Sequence, residues 1–196
     1  MAVVNSLNRN LFITLSIAMG VIIIISNYLV QFPVNKFQLQ NILTYGAFSY
    51  PITFLIVDLA NRRFGKNEAR KLVYIGFTIG ILLTTLVSTN FKDIISIRIA
   101  LGSGTAFLIA QLIDIEIFQR LRNKKWFVAP ITSSVSGSTI DTFLFFSISF
   151  LGTGIPWITL AFGDLSVKFF MALLMLVPFR LLIFKIRDLN EKKYTA

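Results

Sequence analysis

The sequence predicts an all-α membrane protein with six transmembrane helices and both termini in the cytoplasm. Three observations carry that reading. Hydrophobic residues make up 55% of the chain and charged residues 14%, against about 45–50% apolar and about 25% charged in a soluble domain. Six stretches, approximately 11–31, 41–61, 69–89, 98–119, 127–151 and 157–185, are apolar over the roughly 20 residues that a bilayer crossing takes. The basic residues collect in alternate connections, as they do when positively charged loops are retained inside.

Helix 1 lies within "LFITLSIAMGVIIIISNYLV". It is long enough to span, and no small-residue cleavage site follows, so it reads as a permanent anchor. Asn27 and Gln31 are four apart near its outer end and share a face. The turn "QFPVNK" leads to helix 2, where Asp58 precedes Arg62 by four residues. An interfacial ion pair between them is the expectation. "NRRFGKNE" carries Arg62, Arg63 and Lys66 and opens helix 3, which "STNFKD" closes.

Helix 4 holds a stripe of Gly102, Ala106, Ala110 and Asp114 at spacings of four, which suits close helix packing. Gln111 sits near its middle, and Glu116, on another face, is expected to snorkel to the inner surface. After the basic turn "RLRNKK", helix 5 puts Ser134, Ser138 and Asp141 on one face with Gly137 beside them. "LGTGIP" leads to helix 6, where Asp164 and Lys168 are four apart and can neutralise each other. Lys185, Arg187, Lys192 and Lys193 follow at the C-terminal end. Pro51, Pro156, Pro178, Gly102, Gly104 and Gly137 are the positions where helices could bend. The two halves show no clear internal repeat, and the whole of 1–196 reads as a single integral membrane domain.

The formal net charge is +10, from 19 Lys and Arg against 9 Asp and Glu. In a soluble protein that excess would suggest nucleic acid; here it marks topology. Histidine and cysteine are both absent, which removes disulfides, thiolate nucleophiles, serine–histidine dyads and Cys or His metal sites. No Gly-rich nucleotide motif appears, and no cofactor is expected.

Asp141 and Asp114 stand out because neither has an opposite charge within a helical turn. An ionised side chain at that depth requires a partner from another helix, a substrate, a proton or water. Both are expected to point into the bundle. The aromatic set Phe48, Tyr50, Phe54, Phe143, Phe145 and Phe146 is weaker, since membrane phenylalanines are routine. A mid-membrane polar cluster without catalytic groups favours carrying a polar solute over transforming one.

"SNYLVQFPV", "YGAFSYPITFLIVDLANRRFGKNEARK", "QLIDIEIFQRLRNKKWFVAP", "STIDTFLFFSISF" and "DLSVKFFMALLMLVP" occur in order across most of the chain. Together they resemble the YhhQ-type queuosine precursor transporter family, whose six-helix plan is itself similar to the substrate-binding components of energy-coupling-factor vitamin transporters. The resemblance implies import of 7-cyano- and 7-aminomethyl-7-deazaguanine across a bacterial inner membrane, for salvage into the queuosine of transfer RNA. A deazaguanine edge presents two adjacent N–H donors beside a carbonyl, and a carboxylate can accept both in a fork. On that implication Asp141 is the first candidate for the fork and Asp114 the second. Asn27, Gln111 or Lys168, the last paired with Asp164, would donate to the carbonyl, and a ring from the Phe48–Tyr50 region would stack on the bicycle. The expected partners are that small molecule and the lipid bilayer, without nucleic acid, and a homo-oligomer is left open. Three classes of activity remain: a stand-alone carrier, a substrate-binding component that needs energising subunits, and a membrane-embedded enzyme, which the missing His and Cys count against.

Overall fold

The computed structural model describes residues 2–29, 32, 34, 43–87 and 94–191, with the side chains at 2–7, 27, 83–87, 95, 96 and 185–191 outside that description. Among the described residues the chain forms eight helical segments and no strand. These are α1 (Ala2–Leu29), α2 (Gly46–Ser49), α3 (Ile52–Phe64), α4 (Lys66–Val87), α5 (Ile94–Leu121), α6 (Val128–Phe150), α7 (Trp157–Leu174) and α8 (Leu176–Glu191). The expected turn "STNFKD", most of "QFPVNK" and Lys192 and Lys193 lie outside the described residues.

Two of the expected helices are interrupted. Only Tyr50 and Pro51 separate α2 from α3, and both keep right-handed helical dihedrals. Pro51 has no N–H to continue the ladder, so the helix loses a rung there. Met175 separates α7 from α8 in the same way. Pro178, in the first turn of α8, cannot donate to the Leu174 carbonyl. The eight segments therefore read as six rods, α2–α3 and α7–α8 each making one. Helix 1 starts earlier than expected, at Ala2, and helix 2 later, at Gly46.

Three spans are long and apolar enough to cross a membrane on the described residues: Asn8–Ser26, Ile97–Leu121 and Trp157–Phe184. On α1, Ile13, Ile17, Val21, Ile24 and Tyr28 form an exposed stripe, while Leu15, Met19, Ile23 and Ser26 turn inward. On α7 and α8, Ile158, Phe162, Phe170, Leu174, Val177 and Leu181 are similarly exposed. Apolar area of that extent on the outside of a bundle is suited to lipid, not water. α6 differs because its sequence is rich in Ser and Thr, residues that serve packing against other helices more than contact with lipid.

Helix α3 lies at the centre. From Thr53 to Asn61 every residue except Leu55 is buried, around the whole circumference. Polar residues on this helix are therefore enclosed whichever way they point. It turns into α4 through Gly65 alone, whose φ of 88° is open to glycine but strained for other residues. The Gly65 N–H donates to the Asn61 carbonyl at 3.0 Å, closing the end of α3.

The α5–α6 seam follows the small-residue stripe. A Cβ on Gly102 would stand 2.6 Å from the Ser149 hydroxyl, and one on Gly137 would stand 3.3 Å from the Asp114 Cβ of α5 and 2.6 Å from the Phe54 ring of α3. Ala106 and Ala110 are fully buried between them. In lipid the helices gain little from the hydrophobic effect, so close van der Waals contact of this kind holds them together. At one end of the seam Arg98 donates to the carbonyls of Ile148 (2.9 Å) and Leu151 (2.8 Å), satisfying the last turn of α6. At the opposite end Arg62 donates to the Arg122 carbonyl at 2.6 Å and Arg122 donates back to the Arg62 carbonyl at 3.2 Å.

Candidate functional site

The interruption at Pro51 brings Tyr50 into the bundle, where α6 and α7 supply the rest of a charged cluster. Lys168 on α7 donates to Asp141 Oδ2 at 2.8 Å and to the Thr142 hydroxyl at 3.0 Å, both on α6. It also pairs with Asp164, one turn back on its own helix, at 2.6 Å. Thr142 in turn donates to Asp164 at 2.8 Å, and the Tyr50 hydroxyl donates to Asp141 Oδ1 at 3.2 Å. The Lys168 ammonium lies 5.4 Å from the centre of the Tyr50 ring. Lys168 and Asp141 are about 95% buried, and Asp164 only slightly less.

One ammonium thus serves two carboxylates in a nearly dry interior. Each charge is paired and hydrogen-bonded, the condition under which a buried ion persists. Asp141 has found its partner on another helix. The expected Asp164–Lys168 pair is present, but it is one side of a triad and does not stand alone.

Gln111 joins the cluster from α5 through a relay. Its amide donates to the Thr53 hydroxyl at 2.9 Å, and Thr53 donates to the Tyr50 carbonyl at 2.7 Å. The Tyr50 ring packs edge-on against Phe54 and Phe107. It also lines a largely apolar cavity of about 260 Å³ between α1, α4 and α5, with Ile23, Phe77, Ile81, Leu101 and Phe107. That is slightly smaller than the roughly 300–1,000 Å³ of pockets for drug-sized ligands. Tyr50 is the residue common to the cavity and the charged cluster.

Asp114 stands apart from Asp141. It is fully buried on α5 beside Gly137 of α6, and neither of its oxygens has a hydrogen-bond partner. Asp58 accepts from Ser133 at 3.2 Å and from Ser134 at 3.4 Å. The expected Asp58–Arg62 ion pair does not form. Asp58 sits on the enclosed part of α3, 2% exposed, while Arg62 turns to the Arg122 carbonyl. Sequence reasoning therefore missed Asp58 as part of a buried polar cluster. The signal was available in Thr53, Asp58 and Asn61, three polar residues on one short helix.

Phe48 remains exposed on α2, so the ring offered to the interior is Tyr50 and not its neighbour. Glu116 reaches the surface as expected, pairing with Lys66, Arg70 and Arg120. Asn27 lies on α1 with its side chain outside the described residues, and Gln31 lies outside them altogether. Among the described residues, no group of three or more Asp or Glu is placed to hold a metal ion.

A sheath of apolar side chains around an enclosed polar cluster defines an integral membrane protein with charge at its core. The chain belongs to the family described as "Putative vitamin uptake transporter", whose model matches residues 44–183. It is 33% identical to the "Probable queuosine precursor transporter" of Haemophilus influenzae, over 87% of this chain and 85% of that one. It is 31% identical to the "Queuosine precursor transporter" of Escherichia coli K12, over 78% of this chain and 77% of the relative. A "Probable queuosine precursor transporter" of Bacillus subtilis is 26% identical over 68% of each chain. No solved structure matches the chain. Family membership and the membrane-length helices make this a multi-pass protein of the bacterial inner (plasma) membrane.

Proposed function

We propose that the chain imports queuosine precursors of the 7-deazaguanine class, the 7-cyano and 7-aminomethyl compounds, for queuosine salvage, and is a carrier rather than an enzyme. The relatives' names supply the class, queuosine precursors, and the 7-deazaguanine compounds are what the family resemblance implies. The single observation that supports a site for it is the enclosed Asp141–Lys168–Asp164 triad with Tyr50 donating to Asp141.

In this reading Asp141 accepts the paired N–H donors of the base once the substrate displaces Tyr50 or Lys168 from it. Lys168, released on one side and still held by Asp164, donates to the carbonyl of the base. Gln111 positions Tyr50 through Thr53, and the Tyr50 ring borders the apolar cavity in which a flat bicycle would lie. Asn27 would contribute from α1.

The six rods are six spans of one domain covering 1–196, with both termini cytoplasmic. Arg62, Arg63, Arg120 and Arg122 then fall on the inner side, in keeping with retention of positive charge there. The plan is like that of energy-coupling-factor substrate-binding components.

The test is uptake in cells that can neither make 7-deazaguanine nor import it, with this chain on a plasmid. The cyano compound is supplied at low concentration and queuosine in transfer RNA is the readout. Restored queuosine is expected from the wild type. Its absence, with the protein demonstrably in the membrane, would overturn the proposed cargo.

A further inference from the structure

The contact between α3 and α5 holds more acceptors than donors. Asp58 and Asp114, 2% and 0% exposed, lie on α3 and α5 between two direct ties of those helices, Gln111 to the Thr53 hydroxyl and Asn61 to the Ile115 carbonyl. The Ser133 and Ser134 hydroxyls are given to Asp58. Both Asp114 oxygens are left without a donor, and so are Gln111 Oε1 and Asn61 Oδ1 on the same two helices. Buried acceptors of this kind are almost always satisfied in folded proteins. Two ionised carboxyls side by side in a dry interior would repel as well.

The described cations around the pair have other partners: Arg63 donates to Asn8 of α1, and Lys71 of α4 pairs with Glu68. On α3, Arg62 is committed to the Arg122 carbonyl. On α5, Glu116 is an anion already paired with Lys66, Arg70 and Arg120. On α6 and α7, Asp141, Lys168 and Asp164 satisfy one another. On α8, Met175, Leu176 and Phe179 are apolar, and Arg180 lies over the Trp126 ring at 4.8 Å.

One hydrogen ion eases both problems at the carboxyl pair, because it cancels one charge and turns one acceptor into a donor for its neighbour. A cavity of about 10 Å³ touches Asp58, Ser134, Ser138, Pro51 and Met175, which is roughly the room one water molecule requires. It lies where both helix interruptions meet.

We propose that Asp58 and Asp114 hold a single proton between them and exchange it during each transport cycle, separately from the substrate at Asp141 and Lys168. On release, the O–H bond of the shared carboxyl breaks and its electron pair stays on the oxygen. The proton leaves on a water molecule in the small cavity. Two carboxylates remain, and their repulsion drives α3 and α5 apart until a proton returns. The coupling to cargo rests on the import reading; the proton site does not.

Two measurements on the full chain test this. The first is infrared spectroscopy of the purified protein in lipid at neutral pH. The carbonyl stretch of a protonated carboxyl is expected in the wild type, displaced in heavy water, and lost in Asp58→Asn and in Asp114→Asn. A folded wild type without that band, or a band that survives both substitutions, would overturn the site. The second is accumulation of 7-cyano-7-deazaguanine in proteoliposomes with the interior made alkaline. The accumulation ratio is expected to rise about tenfold per pH unit for one proton per substrate, and a ratio indifferent to the gradient would overturn the exchange. The infrared band without any uptake would count against the cargo and leave the proton site standing.

Discussion

The Lys168 ammonium on α7 lies 2.8 Å from the Asp141 carboxylate on α6, at a point where both side chains are about 95% buried. Asp164 holds the other side of the same ammonium. The arrangement answers why an aspartate stands among serines and phenylalanines. Its charge is matched from a neighbouring helix, and the second carboxylate leaves the triad rich in acceptors. In the proposed reading, a ligand bearing N–H donors takes over at Asp141 a bond that Tyr50 or Lys168 now makes.

Asp141→Asn should abolish uptake in the salvage assay while the protein still reaches the membrane, because Lys168 keeps Asp164 as its partner. Lys168→Met should also stop uptake and, in addition, destabilise the fold by about 3–5 kcal/mol, since it leaves two buried carboxylates without a cation. Thermal unfolding of the two variants in one detergent compares them. Equal loss of stability in both would argue against the triad.

Tyr50→Phe removes one hydrogen bond to a carboxylate and keeps the ring. Such bonds contribute about 1.5–3 kcal/mol, so the substrate concentration for half-maximal uptake should change by roughly tenfold or more. Initial uptake rates against concentration decide it. An unchanged curve would remove the hydroxyl from the site.

Gly137→Val should weaken folding by about 1–3 kcal/mol through overpacking, because the added atoms meet the Phe54 ring and the Asp114 Cβ. Adding Phe54→Leu should restore part of the loss. If the melting temperature of the double variant falls further still, the two residues are not in conflict.

Pro178→Ala gives α8 an N–H that can reach the Leu174 carbonyl and mend the interruption at Met175. The variant should melt at the same temperature as the wild type or higher, and should transport more slowly if the break works as a joint. Uptake at the wild-type rate would show the interruption to be passive.

Much of the helical plan was legible because lipid-length apolar runs and charged turns are long, repetitive signals. The stripe Gly102–Ala106–Ala110–Asp114 and the helix interruptions next to Pro51 and Pro178 were readable for the same reason: each follows from spacing or from a missing N–H. Which helix lies at the centre was not readable. That depends on contacts between distant segments, and α3 looks amphipathic in isolation because Asp58, Asn61 and Arg62 suggest a wet face. The Asp58–Arg62 expectation failed on that point. The Asp141–Lys168 pair was hidden likewise, since 27 residues of chain separate two side chains that the α6–α7 packing brings together.

Arg62 and Arg122 each donate to the other's carbonyl, which ties the end of α3 to the end of α5. Further along, Asn61 donates to the Ile115 carbonyl at 3.0 Å and Gln111 donates to Thr53 at 2.9 Å. The two helices are stitched along their shared length, and any opening between them must part these stitches first. The basic residues at the end of the seam, which mark the chain's orientation, therefore also hold its last stitch.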